Sequence, residues 1–479
     1  MKGERKKPTT AYAILALLGV VAIVLGANIW LDAPIHGMFF VIWLFVIPVC
    51  MNLGYSYKEI DEAMMESCKK GLGPILLLMA VGAVVGTWIA CGAVPSIIYL
   101  GLQIIRPDIF LLTAFLLCVM VSLASGTSWA TAGTAGVAMF GIGESLGIPS
   151  GMTVGAIISG SVFGDMLSPM SDSTNVAAAA VDTDLITHCK QLSYVCAPAL
   201  LIASVLYYIL GLRFGADQFD NTYIQEICAS ISSYFHVGIP AFIPVVVLLA
   251  LLFFKKPAVP SMLISSLAAA VVAVVDQGVP ANQIMTCLWS GYSVSTGEEF
   301  LDSLLNRGGI TSMFQTAALM LFAFGMIGAF DRTGILGAII DPVVKRANSV
   351  VKLTFASQVT AILGNIMGTN TFSLLMTGSL MAPAYKDFNL HPTNLSKAIN
   401  ATSTVICPLV PWNITGMYMA GLFGVGVGAY APYSLICFIT PVVAFVMVLL
   451  KIGVVPADVD LENGEKYRKK EYAQRKNNR

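Results

Sequence analysis

The chain has 479 residues, 57% of them hydrophobic and 11% charged, with a formal net charge of zero. Soluble domains carry about 25% charged residues, so this polypeptide cannot cover itself with polar surface in water and needs lipid as its solvent. Zero net charge gives no case for a nucleic-acid partner; four histidines and no phosphate-loop motif leave little for a haem, zinc or nucleotide-driven enzyme.

Basic residues Lys2, Arg5, Lys6 and Lys7 open the chain. The apolar run 10–31 that follows lacks a short signal-peptide core and a small-residue cleavage site, so it reads as a retained first span. Further apolar runs lie at 36–55, 72–92, 109–125, 129–147, 150–165, 192–212, 236–254, 257–276, 310–330, 351–368, 371–384, 394–410, 414–430 and 433–453. Several neighbouring runs are interrupted by Gly, Ser, Thr or Pro and read as broken or re-entrant helices. The expected fold is an all-α polytopic membrane protein with about 11–14 membrane segments. The ten cysteines include no CxxC pair and fall mostly inside apolar runs, as small apolar fillers do.

Positive charge collects at 1–7, at 58–70, at Lys255 and Lys256, at Lys345, Arg346 and Lys352, and after Lys451. Two loops are acidic: 213–231, with Asp217, Asp220 and Glu226, and 276–307, with Asp276, Glu298, Glu299 and Asp302. The positive-inside rule then places both termini in the cytoplasm, with 1–9 as a cytoplasmic N-terminus and 456–479 as a polar cytoplasmic tail.

The sequence also matches itself about 240 residues apart. Gly54-Tyr55-Ser56 returns as Gly291-Tyr292-Ser293, Asp61-Glu62 as Glu298-Glu299, and Lys70-Gly71 as Arg307-Gly308. Gly126-Thr127-Ser128 pairs with Gly368-Thr369-Asn370, Pro149 with Pro392, and Pro169-Met170 with Pro408-Leu409. The basic 58–70 and its counterpart 293–307 would sit on opposite sides. Two inverted repeats, 10–231 and 232–455, are therefore expected, their broken helices meeting near the bilayer midplane.

The segment 159–175 carries two carboxylates, Asp165 and Asp172, with Pro169 between them. A proline break frees backbone carbonyls, which suit a small hard cation together with carboxylate and hydroxyl oxygens. Asp165 and Asp172 are the expected Na+ ligands and proton-coupling groups, with Ser168, Ser171, Thr174 and Asn175 completing the site. A carboxylate within a membrane costs about 2.5–3.5 kcal/mol on insertion scales, so two together point to function. Ser125, Thr127, Ser128 and Thr131 form a second hydroxyl cluster, Thr369 and Asn370 its repeat partner, and Asn413 and Thr415 a neutral counterpart beside Pro408 and Pro411; all are expected to line the substrate path. Lys397 is either a counter-ion or a side chain reaching for the interface. Asp182, Asp184 and His188 are expected at the cytoplasmic surface.

Gly126-Thr127-Ser128-Trp129 through Gly133-Thr134, then Phe163-Gly164-Asp165, Ser168-Pro169, Ser171-Asp172 and Thr174, and finally Asn306-Arg307-Gly308-Gly309, resemble the NhaC family of bacterial sodium/proton antiporters. The resemblance covers most of the chain. Met166 stands where that family often has Lys, Ala130 where Gly is common and Ser173 where Thr is common. It implies secondary active export of Na+ in exchange for H+, with no enzyme activity and no cofactor. Partners would be the lipid bilayer, Na+, H+ and, in the alternative reading, small carboxylates exchanged as malate with protons for lactate with sodium. A multi-pass protein of the bacterial cytoplasmic membrane, able to pair as a homodimer, is the expected setting.

Overall fold

The computed structural model describes residues 5–31, 35–104, 106–214, 221–254, 256–295, 302, 305–306, 308–335, 337–338, 348–459 and 461. Asp217 and Asp220, Lys255, Glu298, Glu299 and Arg307, Asp341, Lys345 and Arg346, and the tail from 462 lie outside the described residues.

Among the described residues the chain is helical, with one isolated bridge, Leu390 to Pro456, and no strand. Five helices are long and apolar enough to cross a bilayer: Tyr57–Ala90, Pro107–Ser125, Leu185–Phe214, Ala258–Val275 and Ile310–Thr333. Three bent pairs raise that number to eight: Cys228–Tyr234 with Ile239–Leu251 at 90°, Thr393–Leu409 with Ile414–Phe423 at 45°, and Val427–Tyr433 with Leu435–Leu449 at 50°. Thr10–Val20, Phe40–Met51, Ala93–Gln103 and Val350–Ile366 are shorter apolar helices. The expected all-α polytopic architecture with broken helices is the one found.

Burial separates central from peripheral spans. The most apolar windows of Tyr57–Ala90 and Ile310–Thr333 are 71% and 72% buried, against 33% for Leu185–Phe214. The first two form the inner packing unit. The others leave Leu201, Leu206, Leu267 and Val271 exposed on apolar faces that suit lipid. The helix Tyr57–Ala90 starts well before the apolar run at 72. Ser56 caps it, accepting from Glu59 N, while Glu59 Oε2 accepts from Ser56 N at 2.9 Å, so a capping box starts the helix in a polar stretch.

The central pair packs closely because backbone meets backbone. Gly309 N donates to Gly82 O at 2.7 Å, and a Cβ on Gly82 would collide with Gly309 O. Small residues allow this approach between membrane helices. Thus the Gly308-Gly309 stretch is a packing element.

Four helix interruptions build the middle of the molecule. Phe110–Ser125 ends at Gly126, left-handed at φ 70°, and a new helix starts at Ser128. Ser150–Leu167 ends in extended Ser168, and Asp172–Ala179 restarts under the Ser171 cap. Val350–Met367 ends at extended Gly368, and Asn370–Asp387 restarts under the Thr369 cap. Thr393–Ile406 passes through a short turn at Cys407–Leu409, and Ile414–Phe423 restarts under Asn413. The breaks meet in pairs. A Cβ on Gly126 would lie 2.8 Å from the Met170 carbonyl carbon. Asn413 Nδ2 donates to Gly368 O and to Asn365 O, each at 3.0 Å.

Candidate ion site

Asp165 lies in the last turn of Ser150–Leu167, where the helix stops and its side chain can reach the neighbouring breaks. Its Oδ2 accepts from Ser128 N at 3.1 Å and from Ser128 Oγ at 2.6 Å. Its Oδ1 accepts from Ser171 Oγ, and from Ser173 Oγ at 2.8 Å. One carboxylate therefore takes four donors from two separate breaks. Such charge-assisted bonds are about twice as strong as neutral ones. Ser128 is placed because Gly126 turns the chain at a positive φ, so the first amide of the next helix faces Asp165. Ser171 and Ser173 are placed by the cap that restarts the helix after Pro169, in which Ser171 Oγ accepts from Ser173 N at 3.1 Å.

Asp165 and Asp172 line the same cavity, of about 1030 Å³, with Gly126, Thr127, Ser128, Trp129 and Ser173 on one side. Thr369, Asn370, Thr371, Thr404, Asn413 and Thr415 stand on its second-half wall. Glu66, Lys70, Asp331 and Arg332 also border it. Asp172 differs from Asp165: it is exposed at the first position of its helix and makes no side-chain hydrogen bond or ion pair among the described residues.

The remaining expected residues divide by where their oxygens point. Thr174 Oγ1 donates to Asp165 O at 3.0 Å and Met166 O at 2.8 Å, closing the carbonyls that the break frees. Asn175 Nδ2 donates to Pro169 O at 3.2 Å and Ser171 O at 2.7 Å, bracing the turn. Ser168 Oγ donates to Leu123 O at 2.9 Å, tying this turn to the neighbouring helix. Ser125 and Thr131 bond each other at 3.3 Å, and Thr131 Oγ1 donates to Thr127 O at 2.9 Å. These hydroxyls hold the frame, and neither Ser125 nor Thr131 borders the cavity. Thr369 accepts from Phe372 N at 3.1 Å and Asn413 from Thr415 N at 3.0 Å, each as a cap, while still bordering the cavity.

Sequence reasoning missed three features. Ser173 donates to Asp165 although it was not among the residues expected to bind the ion. Tyr418 stacks on Trp129 at 4.4 Å between ring centroids and donates to Trp129 O at 2.7 Å, so the second half grips the first break. His188 is fully buried, not at the surface, and bonds Ser396 and Asn400. The four-residue spacing of Ser396 and Asn400, which sets both on one helix face, was the available signal. Lys397 is buried too. Its Nζ donates to Gly453 O at 2.7 Å and does not border the cavity, which removes it as a counter-ion for a solute there.

The sequence profile of the Na+/H+ antiporter family matches residues 5–174 and 160–452. The chain is 38% identical over 432 residues to the Malate-2H(+)/Na(+)-lactate antiporter of Bacillus subtilis (strain 168), covering 90% of this chain and 92% of that one. It is 30% identical over 451 residues to the Na(+)/H(+) antiporter NhaC of Alkalihalophilus pseudofirmus, covering 94% and 97%. It is also 30% identical over 447 residues to the arginine/ornithine antiporter ArcD of Halobacterium salinarum, covering 92% of each chain. A cage of serines around one carboxylate, set between broken membrane helices, thus sits in a chain that belongs to the Na+/H+ antiporter family, a family of transporters and not of enzymes.

Proposed function

We propose that this protein exchanges Na+ for H+ through one shared carboxylate, Asp165. The observation that carries this reading is the four-donor cage on Asp165 at the wall of a cavity of about 1030 Å³. The serine hydroxyls that donate to the carboxylate can rotate and turn their oxygens to a cation. Carboxylate and hydroxyl oxygens are the ligands a hard cation takes. A proton on Asp165 removes the charge that holds sodium, so the two ions compete for one group and their flows are coupled. Asp172, exposed on the cavity wall, is the second carboxylate that attracts the cation and hands it to the cage. Movement of one repeat-built unit against the other would alternate access.

The two-repeat organisation, 10–231 and 232–455, is part of the same proposal. It draws support from Gly54 and Gly291, both at φ 89°, and from the paired breaks in each half. So are a bacterial cytoplasmic membrane setting with both termini inside, and pairing as a homodimer. In proteoliposomes with an internal pH dye, adding sodium to wild type should dissipate an imposed proton gradient, and Asp165→Asn should not.

The cavity favours a second reading. About 1030 Å³ is the size of a site for a small organic molecule and far exceeds one sodium ion. Exchange of small carboxylates coupled to sodium, as the name of the Bacillus subtilis relative states for that protein, would use this space. A gradient that collapses only when malate or lactate accompanies sodium would select this reading over simple sodium/proton exchange.

A further inference from the structure

His188, Asn400 and Met166 lie on three different helices and meet behind the Asp165 cage, with His188 and Asn400 fully buried. Hydrogen-bond polarity admits one arrangement there. Met166 O can only accept, so the Asn400 atom facing it at 3.1 Å is the amide nitrogen. Asn400 Oδ1 takes the Thr404 hydroxyl at 2.7 Å. The same amide nitrogen lies 3.1 Å from His188 Nε2, which therefore accepts and carries no proton. The ring proton is then on Nδ1 and is given to Ser396 Oγ at 2.8 Å, whose hydroxyl turns to Thr393 O at 3.3 Å. The chain of donors runs one way, and it closes only on a neutral imidazole.

A second ring proton, on Nε2, would meet the Asn400 NH2 group head on. Turning the amide over brings Oδ1 to the ring and relieves the conflict. That turn also sets Oδ1 against Met166 O, acceptor facing acceptor, so the carbonyl next to Asp165 loses its amide donor and is pushed away. It also presents the NH2 group to Thr404, freeing the hydroxyl of a residue that borders the cavity and accepts from Asn370 Nδ2 at 3.3 Å. Met166 O would keep its bond from Thr174 at 2.8 Å, so the break would loosen without coming apart.

We infer that His188 and Asn400 form a proton-responsive latch on the ion site, closed when His188 is neutral and open when it is protonated. The inference rests on the sodium/proton reading of Asp165 and adds a regulatory group to it. Sodium affinity should then fall on acidification in two ways, by proton competition at Asp165 and by release of the latch.

The groups around the ring are few. Lys397, on the helix of Asn400 and Ser396, is the charge acting on it, with its Nζ turned to Gly453 O. His391, before that helix, engages Thr393 through its own Nδ1 at 2.9 Å. Asp184, Cys189 and Lys190 share the end of the His188 helix. Of the other helices packed on it, Ser150–Leu167 carries Asp165, Asp172–Ala179 carries Asp172, Phe110–Ser125 carries Cys118 and Leu435–Leu449 carries Cys437.

Two readouts on the full-length protein in lipid test the latch. The first is nitrogen-15 NMR of histidine and asparagine side chains in wild type. The expected result is an Nδ1-protonated His188 at high pH and an Asn400 amide signal that moves with the His188 titration. An Nε2-protonated neutral ring, or an Asn400 signal indifferent to that titration, overturns the inference. The second is the apparent KM for sodium across internal pH in proteoliposomes, for wild type and His188→Gln. Gln offers a carbonyl oxygen where Nε2 accepted and does not titrate. The variant should keep its rate at high pH within twofold and lose at least threefold of the acid-side rise in KM; an unchanged KM profile overturns the latch. Wild type that moves no protons with sodium alone would reject the antiport reading, and the NMR result would then decide the latch independently.

Discussion

Ser128 gives Asp165 both its backbone amide, at 3.1 Å, and its hydroxyl, at 2.6 Å. The carboxylate of one broken helix is thereby held by the first residue of another. This relation fixes the distance between two breaks that lie far apart in sequence, and it makes each the other's support.

Removing the charge should stop exchange. Asp165→Asn is expected to leave less than a tenth of sodium-driven proton movement in proteoliposomes. Ser128→Ala keeps the carboxylate and the backbone donor but loses one hydroxyl. In the proposed site this hydroxyl turns its oxygen to the bound cation, so losing that ligand should raise the apparent KM for sodium roughly tenfold, the equivalent of about 1.4 kcal/mol. An unchanged KM would mean that the Ser128 hydroxyl takes no part in ion binding.

Gly126 should tolerate no side chain. Its φ of 70° is costly for an L residue, by about 1–2 kcal/mol, and a Cβ would lie 2.8–2.9 Å from Met170 atoms. Gly126→Ala is expected to lower the unfolding temperature in detergent by several degrees and to weaken sodium binding, because the turn that aims Ser128 is displaced. A variant with wild-type stability and affinity would show that the turn relaxes freely.

Lys397→Met should leave transport at high pH, where His188 is neutral, within twofold of wild type. The amine sits away from the cavity and donates to one carbonyl. Burying an ammonium that has one carbonyl partner and no counter-ion among the described residues costs free energy, and an apolar side chain of similar volume removes that cost. Loss of carboxylate-dependent exchange in this variant, with sodium/proton exchange intact, would restore Lys397 as an anion partner.

Asp184 gives the one pH prediction tied to a helix end. It caps the helix Leu185–Gly211, accepting from Thr187 N at 2.7 Å, and this bond holds its carboxyl below the usual range. A depressed carboxyl stabilises the fold above its unfolded pKa, and the contribution disappears as pH falls through the folded one. Asp184→Ala should cost about 0.5–2 kcal/mol at pH 7, as for other caps, nearer the low end because the residue is exposed. The charge-dependent part of the difference in thermal unfolding should disappear as pH falls through the depressed carboxyl of the folded state.

Tyr418→Phe should keep the stacking on Trp129 and lose only the bond to Trp129 O. A neutral hydrogen bond contributes about 1 kcal/mol. A drop of roughly fivefold in exchange rate, with an unchanged fold by circular dichroism, is expected if this contact steadies the first break.

By itself the sequence determined that the chain lives in lipid and that its helices are broken by Gly and Pro, and it pointed to Asp165 and Asp172 as the carboxylates to look at. These follow from local chemistry: apolar runs must be helical to satisfy their backbone in a bilayer, and a carboxylate in such a run needs a reason. The serine pattern around Pro169 likewise marked Ser171, since a cap acts within a few residues. Only the tertiary structure decided which oxygens face one another. It brought Ser128 and Ser173 to Asp165, left Asp172 exposed on the cavity wall, and turned Ser168, Ser125 and Thr131 to structural bonds. It also buried His188 against Asn400, more than two hundred residues away, and moved Lys397 away from the cavity. Hydroxyl and amide side chains look alike in a sequence whether they brace a helix or line a cavity. The direction of each bond is set by which helix packs against it, and that is a property of the whole fold.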